Sequence, residues 1–320
     1  MSDFQQLMIT VAISFFITII LGPAIIPLLR RLKVGQSIRA EGPKSHYTKS
    51  GTPTMGGIIM IIAILITTLT SGRLNRDLYI IIFATLAFGL IGFIDDFIKV
   101  VLKRNLGLKA YQKLIGQIVI ATIIAVYQAE VSIYGTQILV PFFRVYLDLG
   151  VLYVPFIAFV VVATTNSVNL TDGLDGLASG VTLIVASFFS LVALNWGYPS
   201  IAAFSGALTG ACLGFLRFNA YPAKVFMGDT GSMALGGAVA SIAILMNLTL
   251  LIPIVGGIYF VEALSVIMQV VSFKLTGKRI FKMSPLHHHF ELVGWKETKI
   301  VVVFWSVTLL LCVLGLYALK

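Results

Sequence analysis

The sequence predicts an all-α polytopic membrane protein of about ten transmembrane helices, with both termini extracytoplasmic and residues 1–320 forming one integral-membrane domain. Of the 320 residues, 58% are hydrophobic and only 11% are charged, a balance outside that of water-soluble domains of this length. Ten apolar runs, at 4–29, 54–70, 78–94, 114–129, 149–165, 177–194, 201–216, 232–246, 248–273 and 300–319, approach the roughly 20 residues that a membrane span needs. The basic residues test this layout independently. With sides assigned alternately, nineteen of the 23 Lys and Arg fall in segments 30–49, 99–113, 217–224 and 274–299, all on one side; Arg73, Arg76, Arg144 and Lys320 remain for the other. The crowded side is the cytoplasmic one by the positive-inside rule.

The first run carries its positive charge after it, at Arg30, Arg31 and Lys33, which marks a retained first helix rather than a cleavable signal peptide. The following loop contains Lys44-Ser-His46-Tyr-Thr-Lys49-Ser-Gly51-Thr-Pro-Thr54-Met-Gly-Gly57. Ammonium groups and free backbone N–H groups before a helix can receive a phosphate, although such a loop also serves topology alone. The third run ends in Asp95-Asp96-Phe-Ile-Lys99. Two carboxylates at the negative end of a helix dipole are unfavourable and call for a cation. Adjacent side chains on a helix diverge by about 100°, so one points into a site while the other meets Lys99 or a neighbouring helix. Segment 131–149, with alternating residues and Pro141, reads as a short external β-hairpin.

After the fifth run comes Asn166-Ser-Val-Asn169-Leu-Thr-Asp172-Gly-Leu-Asp175-Gly-Leu177. If this stretch is helical, Asn166, Asn169, Asp172 and Asp175 share one face, a stripe that cannot face lipid. The seventh run leads to Arg217-Phe-Asn219-Ala-Tyr-Pro-Ala-Lys-Val-Phe226-Met-Gly228-Asp229-Thr-Gly-Ser232, where Asp229, Thr230 and Ser232 also suit simple helix caps. This segment returns to the same side as the earlier aspartates. Five of the thirteen acidic residues thus converge on one membrane surface, which again calls for a cation. The nearly continuous stretch 232–273 is too long for one crossing and divides at Asn247, Thr249 and Pro253. Glu262 and Gln269 lie inside the ninth run. An intramembrane carboxylate is either functional or paired with a polar neighbour. The loop that follows holds His287-His288-His289 and Glu291. Consecutive histidines diverge too much to cage one zinc; they suit contact with an anion, with one member acting in proton transfer. Cys212 and Cys312 sit in apolar runs as packing residues.

Carboxylates and amides without thiolates select a hard cation, and Mg²⁺ is the usual one beside substrate phosphates. With Lys, Arg and His around it, such a site is equipped for phosphoryl transfer, and its place at a membrane surface makes one substrate a lipid. The net charge of +10 lies in short loops beside the spans and is read as topology and attraction for anionic lipid, with no nucleic-acid partner. A transporter would instead place its polar residues near the midplane within internal repeats, and no repeat is found.

The motifs at Asp95–Lys99, 166–177, 226–232 and 285–291 resemble those of the polyprenyl-phosphate N-acetylhexosamine-1-phosphate transferases. The triple histidine, with Pro43-Lys-Ser-His46 and Gly51-Thr-Pro-Thr-Met-Gly-Gly57, resembles the branch that acts on phospho-MurNAc-pentapeptide. The resemblance runs from about 43 to 297, with every motif position matched. It implies transfer of phospho-MurNAc-pentapeptide from UDP-MurNAc-pentapeptide to undecaprenyl phosphate, giving lipid I and UMP, in the bacterial cytoplasmic membrane with the site facing the cytoplasm. The alternative substrate is UDP-GlcNAc. It further implies Mg²⁺ held by Asp229 with Asp172, a catalytic set of Asp95, Asp96, Asp229 and His288, and a homodimer. Asn169, Asp172 and Asp175 would shape the nucleotide and metal site. Lys49, Thr54, Asn219, Phe226, Gly228 and Gln269 would line the uridine and sugar pocket, and His287, His288 and His289 would contact the sugar phosphates.

Overall fold

A computed structural model describes residues 2–31, 49, 51–71, 74–102 and 107–320. Lys33, Arg39 and Lys44 of the first loop, with Pro43 and His46, lie outside these, as do Arg73, Lys103 and Arg104. The chain forms α1 (Asp3–Arg31), α2 (Gly57–Thr70), α3 (Arg76–Val100), α4 (Ala110–Val131), strands β1 (Gln137–Val140) and β2 (Val145–Asp148), α5 (Tyr153–Thr171), α6 (Leu177–Asn195), α7 (Pro199–Asn219) and α8 (Gly228–Leu245). A short α9 (Ile252–Val255), then α10 (Gly257–Thr276), α11 (Leu286–Val293) and α12 (Glu297–Ala318), complete it.

All ten apolar runs are helical, and among the described residues nine helices are long and apolar enough to cross a membrane. The exception is α2, whose 14 residues extend only about 21 Å at the ~1.5 Å rise per residue. Its run begins at Thr54, but residues 53–56 are held outside the helix, and its first residue is fixed, by another segment: Phe226 N–H donates to Pro53 O (2.8 Å), Gly56 N–H to Phe226 O (2.9 Å) and Gly57 N–H to Met227 O (2.9 Å). The division of 232–273 falls at 246–256, where Asn247 takes a positive φ of 57°.

Helices α6, α7 and α8 form the interior, with α8 buried along almost its whole length, whereas α10 and α12 keep apolar flanks such as Phe260, Ile267, Phe273, Leu310 and Val313 exposed. Lipid is as apolar as leucine, so helices in a bilayer associate through close approach of small residues. Gly92 of α3 illustrates this against α8: a Cβ there would lie 2.1 Å from the carbonyl oxygen of Asp229. Helices α3 and α8 therefore touch backbone to backbone beside the aspartates.

At the opposite end, β1 and β2 pair antiparallel, Gln137 opposite Asp148 and Val140 opposite Val145, giving the hairpin that the sequence predicts. The hairpin is tied to the end of α12, since Phe142 N–H donates to Ala318 O (2.9 Å) and Arg144 Nη2 to Leu319 O (3.2 Å). Asp3, Ser71, Leu194 and Pro199 meet around one cavity of about 430 Å³, which puts the start of α1 level with the ends of α2 and α6.

Candidate functional site

The adjacent aspartates of α3 diverge as expected. Asp96 turns toward α8, accepting from Asp229 N–H (3.2 Å), Thr230 N–H (2.9 Å) and Thr230 Oγ1 (2.7 Å). The first N–H groups of a helix lack partners within it, and Asp96 supplies them from a neighbouring helix while placing its charge at the favourable end of the α8 dipole. Asp95 points the other way. It is buried, ion-pairs with Lys99 (2.5 Å) and Lys113 (3.6 Å), and accepts from Leu108 N–H (2.8 Å).

The same two lysines reach Asp229. Lys99 Nζ lies 3.0 Å and Lys113 Nζ 2.7 Å from its Oδ2, while Asn169 Nδ2 donates to its Oδ1 (3.1 Å) and to Ser232 Oγ (2.8 Å). The cationic compensation called for by the clustered carboxylates is thus lysine from α3 and α4, joining Asp95 to Asp229.

The polar stripe at 166–177 is divided. Helix α5 ends at Thr171, and Asp172 is its C-cap with ψ 43°, so the four residues do not share one helical face. Asn166 exchanges amide hydrogen bonds with Gln117 of α4 (2.8 and 3.3 Å). Asn169 serves Asp229. Asp175 lies beyond the turn and binds Lys49 Nζ (2.7 Å) and Ala223 N–H (2.9 Å). Burial, followed by the negative charges of Asp229, Asp96 and Asp175, holds the Asp172 carboxyl well above the usual carboxylate range. Among the described residues no donor reaches it.

Lys49 bridges Asp175 and Glu297 Oε1 (2.6 Å), and Glu297 also accepts from Asp175 N–H (2.7 Å). Burial works against the Lys49 charge, but hydrogen bonds to Asp175 and Glu297 raise its pKa overall. Two amides expected in the pocket are already engaged by backbone. Asn219 accepts from Gly176 N–H and Ser179 Oγ and donates to Val225 O, which fastens α7 to the α5–α6 turn. Gln269 accepts from Ile280 and Phe281 N–H and donates to Phe281 O. Thr54 is buried close to Gly228, and Phe226 is half-buried, its backbone paired with Pro53 and Gly56.

The histidine segment folds back along α10, where Glu262, Ser265 and Gln269 are buried at spacings of three and four residues. His287 is buried against Glu262 and Gly173; His288 Nδ1 meets Glu291 Oε2 (2.7 Å) and its ring packs edge-on to His287 (4.2 Å between centroids). His289 Nδ1 accepts from Lys282 N–H (3.1 Å). The sequence reading missed Lys113, Glu297 and the Glu262–His287 pair. Glu297 had a usable signal, an acid at the start of a helix in an otherwise basic loop; the pairings themselves are tertiary.

Among the described residues no three His, Cys, Asp or Glu side chains form a ready metal cage. The donors nevertheless suit Mg²⁺, which binds through one or two carboxylates and takes its remaining ligands from phosphates and water. Asp172, without a donor and surrounded by negative charge, gains from a cation there.

Residues 78–247 match the model of glycosyl transferase family 4. Over their full lengths this chain and the phospho-N-acetylmuramoyl-pentapeptide-transferase of Alkaliphilus metalliredigens are 67% identical. Identity is 65% with the relative of that name from Alkaliphilus oremlandii and 54% with that of Clostridioides difficile, over 99% of both chains in each case.

Proposed function

The chain belongs to the phospho-N-acetylmuramoyl-pentapeptide transferases, and from this we propose that it moves phospho-MurNAc-pentapeptide from UDP-MurNAc-pentapeptide to undecaprenyl phosphate, releasing UMP and forming lipid I. The observation that carries the chemistry is Asp229, shared by Lys99, Lys113 and Asn169 at the start of α8. In this reading Asp229 and Asp172 hold Mg²⁺, which supplies charge neutralisation for the diphosphate. The segregation of basic loops supports a site facing the cytoplasm of the inner membrane.

The chain's own groups do the positioning. A phosphate monoester has a second pKa near 6, so the lipid phosphate is mainly a dianion at neutral pH and needs no strong base. One of its oxygens attacks the β-phosphorus in line, and the bond to the UMP oxygen breaks. Asp95 orients Lys99 and Lys113 toward the phosphates, Asp96 fixes the start of α8, and Asn169 sets the rotamer of Asp229. His287, His288 and His289 would contact the sugar-phosphate region, and Asp95 would position the nucleophile or take any residual proton. Lys49, Thr54, Asn219, Phe226, Gly228, Asp175 and Gln269 shape the nucleotide pocket, and Phe226 has the partly exposed ring that a uracil can stack on.

The test is UMP release by purified protein given undecaprenyl phosphate and either UDP-MurNAc-pentapeptide or UDP-GlcNAc. Turnover of the muramoyl substrate alone, abolished by EDTA and restored by Mg²⁺, is expected; turnover of UDP-GlcNAc alone overturns the substrate, and full activity in EDTA overturns the metal. Exchange of labelled UMP into UDP-MurNAc-pentapeptide without lipid would instead establish a two-step route through an enzyme phosphoester. A homodimer belongs to this reading on the family resemblance, and a particle mass of one chain in detergent overturns it.

A further inference from the structure

Glu262 is fully buried in α10, has no direct place in the transfer chemistry, and reaches His287 twice. His287 N–H donates to Glu262 Oε1 (3.2 Å), and Glu262 Oε2 lies 3.1 Å from His287 Nδ1. The other edge of the ring is pressed on the α5–α6 turn, since a Cβ on Gly173 would lie 2.0 Å from His287 Nε2. Among the described residues neither ring nitrogen makes a hydrogen bond of good geometry: Nδ1 approaches the carboxylate off line, as a short charged contact, and Nε2 rests on the Gly173 backbone. The backbone contact docks the segment, as Gln269 does one stretch earlier. The ring contact has a further consequence.

We infer that Glu262 is a positioning residue for the transfer reaction, which holds the His287 ring by Nδ1 and leaves a bare Nε2 against Gly173, beside Asp172. Charge decides the tautomer: a carboxylate oxygen lies 3.1 Å from Nδ1, whereas Nε2 is pressed on the Gly173 backbone. A carboxylate 3.1 Å from Nδ1 favours the tautomer with its proton on that nitrogen, which leaves Nε2 bare. The opposite tautomer would turn the Nδ1 lone pair toward the Glu262 carboxylate and bury an N–H against the Gly173 backbone. Glu262 thereby sets, through His287, how closely α11 approaches the turn carrying Asp172. The inference rests on the proposed function for its activity readout, whereas the ring tautomer is read without turnover.

The experiment is ¹⁵N NMR of histidine-labelled protein, with the His287 resonance identified by loss in His287→Ala, joined to a double-mutant cycle. Wild type should show a protonated Nδ1 and a bare Nε2; a protonated Nε2 overturns the inference without any variant. Glu262→Gln keeps an acceptor for the His287 N–H but replaces the carboxylate at the ring. It should shift His287 toward the Nε2–H form and lower kcat/KM on the order of tenfold, with little further effect in a His287→Ala background. An unchanged tautomer, or losses that multiply independently, overturns it. If the wild type releases no UMP, the proposed function fails while the NMR result still judges Glu262.

Discussion

Neighbouring aspartates in one helix have separate tasks here, and conservative substitutions separate them. Asp96 accepts three hydrogen bonds at the start of α8, and hydrogen bonds to a charged group contribute about 1.5–3 kcal/mol each at most. Asp96→Asn should therefore lower both thermal stability and turnover, the former by about 1–3 kcal/mol, measured by unfolding in detergent. Asp95→Asn leaves that cap in place but weakens the hold on Lys99 and Lys113. It should depress kcat on the order of a hundredfold, within the range expected for a mispositioned group, with a smaller stability loss; equal Tm losses in the two variants would contradict this division. Gly173→Ala places a methyl against the His287 ring and should reduce turnover, whereas full activity would show that the ring has room to move.

At the scale of elements, the start of α8 is where the site is assembled. Gly92 lets α3 touch the Asp229 carbonyl, and overpacking a filled contact costs about 1–3 kcal/mol. Gly92→Ala should separate α3 from α8, lowering Tm and activity together; a variant as stable and active as the parent would refute the close-contact argument. The helices themselves were legible in sequence because lipid demands long apolar runs, and the hairpin was legible from its alternation. The stripe at 166–177 would share one face only as a continuous helix; spacing by threes looks helical wherever it occurs, while Gly173 and Gly176 accompany a turn after Thr171. Asn219 and Gln269 were placed in the site by resemblance; their amides hydrogen-bond to the α5–α6 turn and Val225, and to Ile280 and Phe281, respectively, pairings that no local pattern reveals.

For the whole molecule, the acidic cluster and the hairpin occupy opposite ends of the bundle. If the basic loops face the cytoplasm, a membrane-impermeant thiol reagent applied to intact cells should label Arg144→Cys and not Glu291→Cys; Cys212 and Cys312 are both free and buried. The reverse pattern would invert the topology. That the five aspartates share a face was readable from alternation and charge alone, since each membrane crossing reverses sides. Their pairing through Lys99, Lys113 and Lys49 was not, because a loop lysine is equally plausible as a topological charge.

The contact of Lys49 with Glu297 joins residues 248 positions apart. During synthesis, the residue nearest the beginning of the site waits in the membrane while most of the remaining helices are made, and its partner emerges only with the last helix. A nascent chain is thus inert until translation is nearly complete. Ribosome-released fragments ending before Glu297 should insert without turning over substrate, and supplying α12 as a separate peptide is the natural way to ask whether the latch can close after the fact.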